Sequence, residues 1–195
     1  MSKIIYIREI DSSHLLRVGV GHSEECVGYT VSQRVYAELG RPEVGRILTD
    51  GELEAIRYSD ETCRAERKAL SLLSYTDNNS RTLVQKLVRA GFKREIAEET
   101  AKDMVALGYI DERRQLERLI AAEADKLRGP GRIIPKLAAK GYATSDIKEV
   151  MHELCDRGEV DFSALAKQLL DKKLPEGAVP EERKKLLYKH GFKIC

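Results

Sequence analysis

From residue 65 onward the apolar positions recur three and four apart, the spacing of one face of an α-helix. Ala65, Ala69, Leu70 and Leu73 make a first stripe, broken by Asp77-Asn78-Asn79-Ser80. Ser80 is placed to cap a second helix with the stripe Leu83, Val84, Leu87 and Val88. A third stripe, Ile96, Ala97, Thr100, Ala101, Met104 and Val105, stops at Gly108. The plan then returns as Leu116, Leu119, Ile120 and Leu127, then Ile133, Ile134, Leu137 and Ala138, then Ile147, Val150, Met151, Leu154 and Cys155. Gly129-Pro130-Gly131 separates the first two of these, and Pro135 requires its helix to begin near Gly131, so that the ring falls at the edge of the first turn. A third round starts with Leu165, Ala166, Leu169 and Leu170, loops from Leu174 to Pro180, and resumes as a helix from Glu181 to His190.

The first 60 residues follow another pattern. Lys3 to Ile10 is rich in β-favouring residues and is ended by Asp11-Ser12-Ser13, and Leu15 to Val20 reads as its hairpin partner. Cys26 to Val31 adds a short third strand. Ser32 then caps a helix through Leu39, stopped by Gly40 and Pro42, and Thr49 or Asp50 caps another through Ile56. Gly19-Val20-Gly21 begins like a dinucleotide fingerprint, but its third glycine position is Glu24, so the segment is read as a turn between strands.

Short motifs recur at a step of 50 residues. Lys86-Leu87-Val88-Arg89-Ala90-Gly91-Phe92 returns as Lys136-Leu137-Ala138-Ala139-Lys140-Gly141-Tyr142, and more loosely as Leu186 to Phe192. Gly108-Tyr109-Ile110-Asp111 answers to Gly158-Glu159-Val160-Asp161. A period of this size marks stacked supersecondary units. The expected fold is mainly α: tandem three-helix repeats in an elongated curved array, preceded by a small N-terminal domain containing a β-hairpin. The expected divisions are 1–60, 61–111, 112–161 and an incomplete third unit, 162–195. Gly91, Gly141 and Gly191 are placed for a left-handed residue after a helix, with Phe92, Tyr142 and Phe192 sealing each corner. Those three aromatics, with Tyr75 and Tyr109, are read as core anchors and not as a base-stacking ladder.

The net charge is +2, which hides an asymmetry. Residues 1–60 carry 7 Lys/Arg and 10 Asp/Glu, a balance of −3, whereas the remainder carries 27 and 22, a balance of +5. A basic body favours a polyanionic partner. The middle helices repeat the cations: Lys86 and Lys136 share one phase, Arg89 and Lys189 another, with Lys93 and Lys140 nearby. Arg128 and Arg132 flank an expected exposed helix start whose free N–H groups would favour an anion, and Arg183, Lys184 and Lys185 continue the run.

Other chemistry is not supported by the sequence. Cys26, Cys63, Cys155 and Cys195 form no paired motif, which fits reduced thiols and no structural zinc. His152 and Cys155 share a helix face but lack a second pair of ligands, and His14, His22 and His190 have no nucleophile at a catalytic spacing. We expect no enzyme, no metal and no cofactor. No signal peptide or membrane span is legible, so a cytoplasmic, monomeric protein without membrane contact is expected.

The strand-rich head, the tandem three-helix units, the Lys-Leu-x-x-x-Gly-aromatic corners and the Gly-Tyr-Ile-Asp linker together resemble the RecX family. That resemblance implies a regulator that binds the RecA recombinase and its filament on single-stranded DNA, restraining ATPase, strand exchange and co-protease activity without catalysis of its own. It places the chain in DNA repair, recombination and the SOS response. Weak direct DNA binding is compatible with it. Two alternatives remain open from the residues alone: a DNA- or RNA-binding module of helix-turn-helix-like units, and a general helical scaffold for protein partners.

Overall fold

A computed structural model describes residues 2–10, 14–22 and 25–193. The expected strand break at Asp11-Ser12-Ser13, the Glu24 of the fingerprint test and the thiol of Cys195 lie outside the described residues. The chain is mainly helical, with a small antiparallel sheet ordered β1-β2-β3. Its strands are β1 (Lys3–Glu9), β2 (Leu15–His22) and β3 (Glu25–Ser32), followed by α1 (Gln33–Glu38), α2 (Asp50–Tyr75), α3 (Ser80–Arg89) and α4 (Arg94–Ala106). Then come α5 (Glu112–Ala124), α6 (Pro130–Ala139), α7 (Thr144–Asp156), α8 (Phe162–Lys173) and α9 (Pro180–His190). The chain packs as two compact units, residues 2–76 with 83–103, and residues 77–82 with 104–193.

In the first unit, alternation along β2 buries Leu16, Val18 and Val20 together with Ile4, Val31, Leu48 and Ile56. Gly19-Val20-Gly21 lies inside β2 and is not a turn. A Cβ at Gly19 would stand 2.2 Å from the Tyr6 ring, so the glycine makes room for an aromatic lying across the sheet. Helix α2 begins with a capping box between Thr49 and Glu52, then continues well past Ile56, where the sequence pattern suggested an end. The polar residues that interrupt its stripe have a structural task. Asp60 Oδ1 accepts from the Thr30 N–H at 2.7 Å, and Ser59 Oγ accepts from the Ser32 N–H at 3.1 Å. At its C-terminal end the free side of β3 is thus bonded to a helix instead of a fourth strand.

In the second unit, Leu116, Ile120, Ile133, Leu137, Ile147, Val150 and Leu154 form the main core, and Leu127, Leu169 and Phe192 a smaller one. Several local expectations change. Leu127 leaves the α5 stripe and sits beyond the helix at φ 55°, buried against Leu169 and Phe192. Asn79, not Ser80, caps α3: its Oδ1 accepts from the Thr82 N–H, while the Ser80 hydroxyl donates to Glu112. Helix α6 begins at Pro130, so Pro135 falls in its second turn and one helical hydrogen bond is missing there. Tyr142 and Phe192 are buried as expected, Phe92 is half-buried, and Tyr75 and Tyr109 are exposed, so those two are not core anchors. Cys26, Cys63 and Cys155 are unbridged, and no helix among the described residues is long and apolar enough to cross a membrane.

Candidate functional site

The three glycine corners have the same local construction. Gly91, Gly141 and Gly191 have φ of 97°, 101° and 85°. At each, the glycine N–H donates to the carbonyl three residues back and the following aromatic N–H to the carbonyl five back, a Schellman end. Inside the second unit, two of these corners rest on the starts of other helices. The Lys140 carbonyl accepts from Asn79 Nδ2 at 3.0 Å, at the start of α3. Fifty residues on, the His190 carbonyl accepts from the Gly129 N–H and the Gly191 carbonyl from the Gly131 N–H, each at 2.8 Å. Arg132 Nε adds a bond to the Lys189 carbonyl at 2.9 Å. A Cβ at Gly129 would stand 2.5 Å from Gly191 O, which explains the Gly-Pro-Gly start of α6 as room for an approaching main chain.

This arrangement overturns one expectation. The α6 start is not a free anion seat, because the N–H groups of Gly129 and Gly131 are already given to the end of α9. Carbonyls at one helix end meet amides at another, so the two dipoles complement each other.

The cations around that junction are organised by a residue the sequence reading missed. Glu123 of α5 has a side chain only 6% exposed, yet it pairs with Lys126 at 3.0 Å, Lys136 at 2.7 Å and Arg128. Burial alone would raise its carboxyl. Hydrogen bonds from Lys136, Lys126 and Arg128 outweigh that and hold it down at about 2. The signal was present in the sequence: Glu123 lies between Ile120 and Leu127 in the helical phase of apolar positions, and a charge there needs buried partners.

Above Glu123, Arg128, Arg132, Pro135, Lys136, Lys189 and His190 line a hollow of about 690 Å³. The fold therefore brings together Arg128, Arg132, Lys136 and Lys189 from the expected set. Lys140 is exposed on the second unit, while Arg183, Lys184 and Lys185 are exposed on α9 and do not line this hollow. Lys86, Arg89 and Lys93 belong to the first unit, where Lys93 pairs with Glu61 at 3.9 Å. His152 pairs with Asp156 at 3.2 Å on the surface, and no group of three metal-binding side chains gathers among the described residues.

No family model matches the chain. It is 30% identical over 124 residues to regulatory protein RecX of Halorhodospira halophila, covering 64% of this chain and 74% of that protein. It is 30% identical over 131 residues to regulatory protein RecX of Haemophilus influenzae, covering 64% and 84%. Against regulatory protein RecX of Lactobacillus johnsonii the figures are 25% identity, 84% of this chain and 62% of that protein. A crystal structure of a regulatory protein RecX superposes with a TM-score of 0.71 at 22% identity, over 99% of this chain and 95% of that one. The crystal structure of RecX from Lactobacillus salivarius gives 0.55 at 19% identity, over 69% and 90%.

Proposed function

The chain belongs to the RecX family of regulatory proteins, and from that premise we propose that it regulates the RecA recombinase by binding the filament RecA forms on single-stranded DNA. The regulation is restraint: slower ATP hydrolysis, strand exchange and co-protease action. A binder changes such activities only by its differential affinity for filament states, so the chain holds RecA in a less active arrangement or excludes the duplex partner. It performs no catalysis, needs no cofactor and acts in the cytoplasm.

The observation that carries this reading is the basic groove. Arg128, Arg132, Lys136 and Lys189 are converged by a main-chain junction and a buried carboxylate, which hold them as a set suited to a polyanionic assembly. Lys140 and Arg183 to Lys185 on the second unit, and separately Lys86, Arg89 and Lys93 on the first, are further cations proposed to meet the filament. The test is RecA ATPase and strand exchange with and without the chain, together with its affinity for RecA, for bare single-stranded DNA and for the assembled filament. We expect slower turnover and the tightest binding to the filament. Unchanged RecA activity with equal affinity for bare nucleic acid would transfer the chain to the direct nucleic-acid-binding class.

A further inference from the structure

The basic groove has an aromatic neighbour. A second hollow, of about 710 Å³, is lined by Tyr188, Phe192 and Lys193 and shares Gly131, Arg132 and Lys189 with the first. Both volumes fall in the range of roughly 300–1,000 Å³ typical of ligand clefts. Tyr188 is 79% exposed, although Leu186 and Leu187 of the same helix pack inward against Phe192 and Leu169. Among the described residues no acidic side chain lines either hollow, and Glu123 beneath the first is outnumbered three to one by its own cations.

A solvent-facing ring beside a double hollow of cations matches a chemistry in which an unpaired base stacks on the ring while flanking phosphates meet Lys and Arg. An acidic peptide would use the cations and leave the ring idle. A duplex would offer phosphates but keep its bases stacked away from the ring. We propose that the α6–α9 groove holds a short stretch of single-stranded polynucleotide, with a base on Tyr188 and phosphates against Arg128, Lys136, Lys189 and Lys193. This deepens the filament reading, on which it rests for where such a strand is met, by making the DNA itself a contact of the regulator.

The test uses the full chain, labelled oligo(dT) of about 12 nucleotides, within the single-strand site sizes known for such grooves, and fluorescence anisotropy at low salt. Tyr188→Ala should weaken binding by roughly 5- to 150-fold, the stacking contribution of one base, with the thermal unfolding midpoint unchanged. Lys189→Gln with Lys193→Gln should shallow the salt dependence by roughly 1.4 logarithmic units, about 0.7 for each phosphate no longer neutralised. Duplex of equal length should bind more weakly, and polyglutamate of equal charge should compete poorly. The inference is overturned if Tyr188→Ala binds like the wild type, or if duplex or polyglutamate matches the single strand. Restraint of RecA without this binding would sink the single-strand site and leave intact the filament reading, in which the groove's cations meet RecA itself. Binding of this kind with RecA unaffected would do the reverse.

Discussion

Replacing Glu123 by Gln tests the arrangement under the basic groove. Glutamine keeps the shape of a protonated glutamate, so the variant isolates the charge. The carboxyl falls from its ordinary value of 4.5 to about 2 in the folded chain. At 1.36 kcal/mol per unit this linkage amounts to about 3 kcal/mol, an upper figure. The side chains of Lys126, Arg128 and Lys136 are 55%, 39% and 41% exposed, so water screens part of the attraction. We therefore expect Glu123→Gln to lose about 1–3 kcal/mol at pH 7, by the same linkage after screening. The sign follows from the depressed folded value. The stabilisation is present above about pH 4.5, declines as pH falls, and is largely gone below about 2. Urea unfolding followed by circular dichroism, with hydrogen exchange of α5 and α6 as a local probe, should show wild type and variant separated at pH 7 and converging toward pH 2. A gap of the same size at both ends of that range would refute the electrostatic account, and no gap at pH 7 would refute the cluster itself.

Three further outcomes follow from the packing. Gly191→Ala should destabilise by more than Gly158→Ala in thermal unfolding: both glycines have positive φ, costing roughly 1–2 kcal/mol for an L side chain, but only at Gly191 would the Cβ also meet a main-chain atom, Arg132 N at 2.4 Å. Tyr142→Phe should cost about 1–2 kcal/mol in urea unfolding, because the Tyr142 hydroxyl donates to Gln115 Oε1 at 2.8 Å in the buried interior and its loss strands that oxygen. Asp60→Ala should speed amide exchange at Thr30 and cost about 1–3 kcal/mol, whereas Asp60→Asn, which keeps an acceptor oxygen, should cost clearly less.

Local sequence signals were clearest where one helix settles its own ends. The apolar stripes of α3 to α8, the glycine corners and the Thr49 cap all depend on residues within about five positions of one another, and all are found near their expected places. What escaped depends on distant partners. The length of α2 was hidden because Ser59 and Asp60 look like a polar break until β3 supplies the N–H groups they accept from. Asn79 and Ser80 exchanged roles because Glu112, 32 residues ahead of Ser80, takes the serine hydroxyl. The cations were visible as a set, but periodicity could not say which of them converge, nor that the α6 start is already occupied. Tyr75 and Tyr109 have the same place near a helix end as Tyr142, but an aromatic there is buried only where a second helix arrives to cover it.

The corner-on-start junctions impose a rule of length. Asn79 meets Lys140 across 61 residues, and the same span separates Gly129 from His190. The carbonyl side of each contact is main chain, which every amino acid carries. Substitutions on the outer faces of the intervening helices leave such a gauge intact, while one residue added within α7 or α8 would swing the next corner by about 100° and carry its carbonyls off their donors. Insertions are best absorbed between Leu174 and Val179, where the backbone is free of helix. A chain built this way can diverge far in composition while its spacing hardly moves.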